Sequence, residues 1–174
     1  MAHGRALLGA IPEPGPALDL GSGGGIPGLV LATARPDLDL TLLEARRRAC
    51  AFLREAVGEL GLGRVRVVEA RAEDAARRPD LRETFVAVVS RSFGPPAVTA
   101  ECAVGFLRNG GVLIVSEPPS DEARWPDDGL ERLGLSAATL ERHDDASFVR
   151  IVKVRADDRW PRRVGIPAKR PVWT

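Results

Sequence analysis

Residues 17–31 read Ala-Leu-Asp-Leu-Gly-Ser-Gly-Gly-Gly-Ile-Pro-Gly-Leu-Val-Leu, an apolar run that breaks into glycines and then resumes. Ala17–Leu20 suits a short strand. Ile26–Ala34 suits a helix, with Pro27 tolerable only in its first turn, where the missing N–H costs little. The link between them, Asp19-Leu20-Gly21-Ser22-Gly23-Gly24-Gly25, must turn sharply, and glycine lets a ligand approach the backbone without a Cβ in the way. A loop that meets a helix N-terminus offers free N–H groups to a polar ligand. The spacing Asp-x-Gly-x-Gly-x-Gly fits a ligand ending in an amino acid, with Asp19 serving the amino group and backbone N–H groups the carboxylate. Two other readings stand beside it. Gly23, Gly25 and Gly28 satisfy G-x-G-x-x-G with Glu44 about 20 residues on, as a nicotinamide dinucleotide would require, or the loop is simply a structural tight turn. No G-x-x-x-x-G-K-[ST] occurs, so a P-loop is out.

Beyond this segment, short apolar runs alternate with helical stretches, the signature of βαβ units and a parallel sheet. Leu38–Glu44 reads as a second strand. A helix follows, with Ala49, Phe52, Leu53, Ala56, Val57 and Leu60 on one stripe and Gly61 and Gly63 as its stop. Val65–Glu69 and Phe85–Ser90 are strands three and four. Pro95–Leu107 reads as a helix ended by Asn109-Gly110-Gly111, and Val112–Ser116 as a fully apolar fifth strand. Pro118–Asp128 reads as a loop. Ala138–His143 and Ser147–Val154 flank Asp144-Asp145 as an antiparallel hairpin. The predicted fold class is α/β, a doubly wound, mostly parallel, Rossmann-like sheet with a C-terminal antiparallel hairpin. That ending resembles class I methyltransferases, whereas a dinucleotide domain continues with a parallel strand.

The 174 residues suit one domain, with a core over about 17–155 and a basic tail over 156–174. Apolar residues make up 44% and charged residues 28% of the chain, which excludes a disordered class. No apolar run is long enough for a bilayer and the start carries no signal-peptide pattern, so a cytoplasmic protein is expected. Cys50 and Cys102 read as small buried fillers without ligand spacing, and no metal site is expected. His3 and His143 read as surface residues. The net charge is +1, yet Arg159–Thr174 holds five basic residues and no acid, leaving residues 1–158 at about −4. Such a tail either binds phosphate or is simply solvated.

Further candidates sit at carboxyl ends of successive strands, where open α/β sheets bind ligands. Glu44, ending strand two, could accept both ribose hydroxyls of an adenosine, or could be a first-turn acid for the next helix. Arg71-Ala72-Glu73-Asp74 follows strand three, either bordering a ligand or starting a helix. The Arg46-Arg47-Arg48 run reads as a solvated helix face.

Together, Asp19–Leu31 (DLGSGGGIPGLVL), Leu42–Leu53 (LLEARRRACAFL), Arg71–Asp74 (RAED), Val89–Phe93 (VSRSF), Gly110–Gly111 and Pro161–Pro171 (PRRVGIPAKRP) resemble the 16S ribosomal RNA guanine-N7 methyltransferase G family, also called glucose-inhibited division protein B. The resemblance covers nearly the whole chain. It implies S-adenosylmethionine as cofactor, held by the loop from Asp19 through Gly21, Ser22, Gly23, Gly25 and Ile26, with Glu44 on the ribose and Ala72 and Glu73 by the adenine. Arg91 would sit beside the methyl and the incoming base as the catalytic residue. Arg71, Arg162, Arg163, Lys169 and Arg170 would meet RNA phosphate. The partner implied is 16S ribosomal RNA or the small ribosomal subunit, without membrane or metal, and a monomer is favoured. The family usually has several dozen helical residues before its first strand, against about 16 here, so a shortened member is expected. It also often carries a lysine after strand five, where this chain has Ser116-Glu117-Pro118-Pro119. A carboxylate there would weaken a phosphate contact. Guanine N7 has an in-plane lone pair and no proton, so its methylation needs no general base. Ser90-Arg91-Ser92-Phe93 offers neither the cysteine that cytosine-carbon methylation uses nor the [N/D]-P-P-[Y/F] turn of amino methylation. The other functions compatible with this fold are a methyltransferase acting on another RNA or a small molecule, and a non-catalytic RNA-binding assembly factor.

Overall fold

The computed structural model describes residues 7, 9, 11, 15–118, 124–143 and 146–174. His3, the His143 side chain, the Asp144-Asp145 turn and most of the opening stretch lie outside the described residues.

The elements run β1 (Ala17–Leu20), α1 (Gly28–Ala34), β2 (Leu40–Glu44), α2 (Arg47–Glu59), β3 (Val65–Glu69), α3 (Ala72–Ala75), β4 (Phe85–Ser90), α4 (Pro96–Val104), β5 (Leu107–Glu117), α5 (Asp127–Arg132), β6 (Thr139–His143), β7 (Ala146–Val152) and α6 (Ile166–Lys169). They build a seven-stranded sheet of order β3-β2-β1-β4-β5-β7-β6. β1 pairs in parallel with β2 and β4, and β4 with β5, while β7 is antiparallel to both β5 and β6. Strand order reverses between β1 and β4, so a crevice opens over their carboxyl ends.

The central strands β1, β2 and β4 are buried on both faces, which is why they read as continuous apolar runs. In β4, Phe85 and Val88 join one core cluster, with α3, α4 and Trp125, while Val86, Ala87 and Val89 join the other, with Leu31 of α1 and Leu53 of α2. At about 25 cal/mol per Å² of apolar area removed from water, each buried Leu or Phe contributes about 1.5–3 kcal/mol.

Three expectations are corrected. β5 begins at Leu107, not Val112. Asn109-Gly110-Gly111 is an irregularity inside the strand, where pairing jumps from Phe85↔Leu107 to Ala87↔Val112 and Gly110 takes a φ of +77°. The stripe of α2 is also turned: Cys50 and Leu53 are buried, whereas Phe52 and Leu60 are 49% and 53% exposed. Finally, the reach read as loop to Asp128 contains the start of α5, with Asp127 and Asp128 in its first turn, where the helix dipole favours acids. Among the described residues, no helix is long and apolar enough to cross a membrane, and no group of His, Cys, Asp and Glu could hold a metal ion.

Candidate active site

After β1 the chain turns through Gly21, Gly23 and Gly25 at φ of +75°, +53° and +89°, a region costly for residues with a Cβ. The Gly21 and Ser22 N–H groups donate to the Leu43 carbonyl at 2.9 and 3.0 Å. The loop is then pinned by two carboxylates. Glu44 Oε2 accepts the Gly23 N–H at 2.9 Å, and Oε1 accepts the Arg46 N–H at 2.8 Å and its Nε–H at 3.2 Å. Burial opposes the Glu44 charge, but the Arg46 side chain and the Arg46 and Gly23 N–H groups outweigh it and hold the carboxyl below its ordinary value. Each oxygen keeps lone-pair capacity for another donor.

Asp19 lies beneath the loop, 1% exposed. Its Oδ2 accepts the Gly28 N–H at 3.1 Å at the start of α1, and its Oδ1 is buried without a partner. Burial dominates and pushes the carboxyl up to about 7, with the Gly28 N–H opposing in part. The unfolded chain loses this proton near pH 4 and the folded protein near pH 7. Stability therefore falls between those values by about 1.4 kcal/mol per pH unit and is level above them. Asp19→Asn should remove that decline. In urea titrations the loss of stability from pH 5 to pH 8 should be smaller than in the parent by about 2–3 kcal/mol. Parallel declines in both proteins would show that Asp19 ionises normally.

A cavity of about 520 Å³ spans the carboxyl ends of β1 to β4. Gly21, Glu44, Arg71, Ala72 and Glu73 line it. Asp19, Ser22, Gly23, Gly25 and Ile26 do not. The first four build the loop behind the wall, and Ile26 is 56% exposed. Other lining residues were not anticipated: Arg46, Phe93, Val98, Cys102 and Ala168. A Cβ on Gly21 would stand 2.5 Å from the Phe93 ring, so the Ser-Arg-Ser-Phe segment packs against the loop. Cys102 is a filler as read: burial pushes its thiol far up, which makes it inert.

Arg91 lies elsewhere. It is exposed and lines a second cavity of about 410 Å³, together with Thr99, Val115, Glu117, Arg124 and Trp125. The two cavities share Ser92, Phe93 and Gly94. Glu117 is paired with Arg124 at 2.9 Å.

The tail is strapped to the body. Arg162 donates from Nε and an Nη to the two carboxylate oxygens of Glu101, at 2.8 and 2.6 Å, and its backbone N–H adds a bond of 2.9 Å. Glu101 is fully buried on α4, so Arg162 anchors the tail and is not available to phosphate. The Gly165 N–H donates to Glu73 Oε1 at 3.0 Å, and Ala168 forms part of the first cavity's wall. Arg71 leans on Glu73 at 3.6 Å. Arg163, Lys169 and Arg170 are exposed.

The model of the rRNA small subunit methyltransferase G family matches residues 8–131. The ribosomal RNA small subunit methyltransferase G of Moorella thermoacetica is 36% identical over 171 residues, covering 93% of this chain and 71% of that protein. The chain belongs to the rRNA small subunit methyltransferase G family. Its namesake from Pelotomaculum thermopropionicum is also 36% identical, over 95% of this chain and 74% of that protein. Among solved structures, the S-adenosylmethionine-dependent methyltransferase SibL superposes with a TM-score of 0.69 over 87% of this chain and 55% of its own, at 19% identity, which supports the fold alone. Membership in the methyltransferase G family removes the dinucleotide reading of the glycine loop. It makes S-adenosylmethionine the cofactor. The first cavity fits that molecule: Glu44 offers a carboxylate to a ribose diol, and Leu43, Ala70 and Val98 offer apolar surface to a purine.

Proposed function

We propose that the protein methylates N7 of a guanine in 16S ribosomal RNA, as a single-domain cytoplasmic enzyme acting as a monomer. The observation that carries this reading is the pair of cavities meeting at Ser92–Gly94, one suited to the cofactor and one open beside it, in a chain of this family. S-adenosylmethionine supplies an electrophilic methyl on a sulfonium. Glu44 holds the ribose through the lone pairs that Gly23 and Arg46 leave free. Ala72 and Glu73 border the adenine, and the turn at Gly21 borders the amino-acid end. Phe93 separates the cofactor from bulk water on the β4 side, and Arg91 orients the incoming nucleotide.

N7 needs no proton removed, and the described walls accordingly carry no histidine and only an inert thiol. Rate then comes from alignment, an effect worth up to about 7–11 kcal/mol. The test is transfer of labelled methyl to small subunits, large subunits and free 16S RNA, with the product located by mass spectrometry. Label in a small-subunit guanine at N7 supports the reading. Label elsewhere, or none, overturns it.

Arg163, Lys169 and Arg170 are the tail residues left to contact phosphate, with Arg71 at the cavity mouth. Replacing the three tail residues by glutamine should weaken RNA binding and make its log–log salt slope shallower by about 2, at roughly 0.7–0.9 per contact. An unchanged slope would assign them to solvation alone.

A further inference from the structure

The two cavities differ in charge. Glu44 and Glu73 balance Arg46 and Arg71 in the lining of the first, whereas the described lining of the second holds Arg91, Arg124 and Glu117, an excess of one positive charge. We infer that Arg124, held in place by Glu117, is a second phosphate-binding residue beside Arg91 and fixes the target nucleotide through the RNA backbone. This rests on the RNA reading above and goes on to say how that RNA is held against the cofactor.

Arg124 is fixed from two sides. Glu117 is the last residue of β5, and its pairing with Ser147 of β7 keeps it inside the ladder. The Glu117 side chain is 9% exposed, and its Oε2 accepts a bond of 2.9 Å from Arg124 Nη1. A carboxylate so far withdrawn from water needs a cation beside it. At its other end Arg124 accepts the Trp173 Nε1–H on its carbonyl at 3.3 Å, and the next residue, Trp125, is buried against the Trp173 ring with centroids 6.4 Å apart. A strand residue and a tryptophan of the tail thus hold both the main chain and the side chain of Arg124.

The pair does not use the arginine up. A guanidinium carries five N–H donors in a planar fork, and the bond to Glu117 is the one that the Arg124 side chain makes among the described residues. That side chain is 32% exposed, so it can still meet a ligand. A guanidinium set in advance loses less freedom on meeting a phosphate than a loose cation does. Glu117 therefore does not weaken a phosphate contact, as a carboxylate at this place was expected to do, but supports one. The sheet brings the two arginines to one cavity. Ser90 of β4 pairs with Val115 of β5, so Arg91 and Glu117 leave the same end of the sheet. A nucleotide held at Arg91 and Arg124 together cannot pivot about either.

The test follows binding of 16S RNA against salt, single-turnover methyl transfer to small subunits, and cofactor affinity by calorimetry. Arg124→Gln should make the log–log salt slope shallower by about 0.7–0.9, the share of one phosphate contact. It should also slow transfer about 10- to 100-fold with cofactor affinity unchanged. Arg124→Lys keeps the charge and should keep the slope, recovering only part of the rate. Glu117→Gln should leave the slope as in the parent yet slow transfer at saturating RNA about 10-fold, because the cation remains and its placement is lost. Added to Arg124→Gln, it should cost less than about 2-fold more, since Glu117 acts through the arginine. That double variant strands no carboxylate, so it reads the slope even where Arg124→Gln fails to fold. A parent-like slope in the double variant would overturn the inference and leave the pair as a clasp on the end of β5. So would a Glu117→Gln that slows the Arg124→Gln protein as much as it slows the parent. If the parent transfers no methyl to small subunits, the proposed reaction fails, and the slope on 16S RNA still decides for or against Arg124.

Discussion

Arg162→Ala should lower the stability of the protein by about 3 kcal/mol and its Tm by roughly 6–12 °C. The arginine is the sole described partner of the fully buried Glu101 carboxylate, bound to both oxygens and through its own backbone N–H. Removing one member of such a pair leaves an uncompensated charge in the interior, the costly way to break it. The side chain of Arg162 is 30% exposed, which places the loss at the lower end of the range for buried pairs. Cofactor affinity should fall as well. Arg162 also donates to the Arg170 carbonyl, and so braces the segment that carries Gly165 to Glu73 and Ala168 to the cavity. Two controls separate this from general damage. Arg163→Ala, one residue on and exposed, should stay within about 0.5 kcal/mol. Adding Glu101→Leu to Arg162→Ala should restore part of the loss, because the stranded charge goes with it. Urea unfolding and cofactor calorimetry on the four proteins decide the matter. Equal stability of Arg162→Ala and Arg163→Ala would mean that the tail is not anchored through this pair.

Arg91→Ala should reduce methyl transfer about 100-fold or more while cofactor affinity changes only a few-fold. Arg91 stands in the second cavity, exposed and without an ion-pair partner among the described residues. Its planar guanidinium can hold a phosphate or a base edge. A misplacement of about 1 Å between nucleophile and methyl costs on the order of 100-fold, so a residue that only positions the nucleotide can still control turnover. Single-turnover rates beside calorimetric cofactor affinity give the answer. Unchanged turnover removes Arg91 from the reaction. A fall in cofactor affinity as large as the fall in rate would place it on the cofactor side of the shared wall.

The bounds of β1, β3 and β4 agree with those read from the chain. β1 and β4 are covered on both faces and admit little but apolar residues, whereas β3 is an edge strand whose valines sit among the exposed Arg66 and Glu69. The glycine loop, Glu44 and the Arg71–Asp74 turn were legible because each sits at a strand's carboxyl end, where topology brings them together. What local pattern cannot give is the partner chosen across the fold. Asn109-Gly110-Gly111 has the composition of a helix stop, and only its pairing with β4 makes it part of a strand. Arg162 and Arg163 are adjacent and chemically identical, yet one reaches Glu101 and the other reaches solvent. The carboxylate of Asp19 was read as a ligand group. Its bond to Gly28 shows that it also holds the helix that follows.

Ala168 and Gly21 belong to one wall though they lie far apart in the sequence. A nascent chain that has not yet reached α6 therefore has a sheet, a glycine loop and both acidic groups, but lacks one part of the berth for the methyl donor. A protease cut between Trp160 and Gly165 would reopen that berth without touching the sheet.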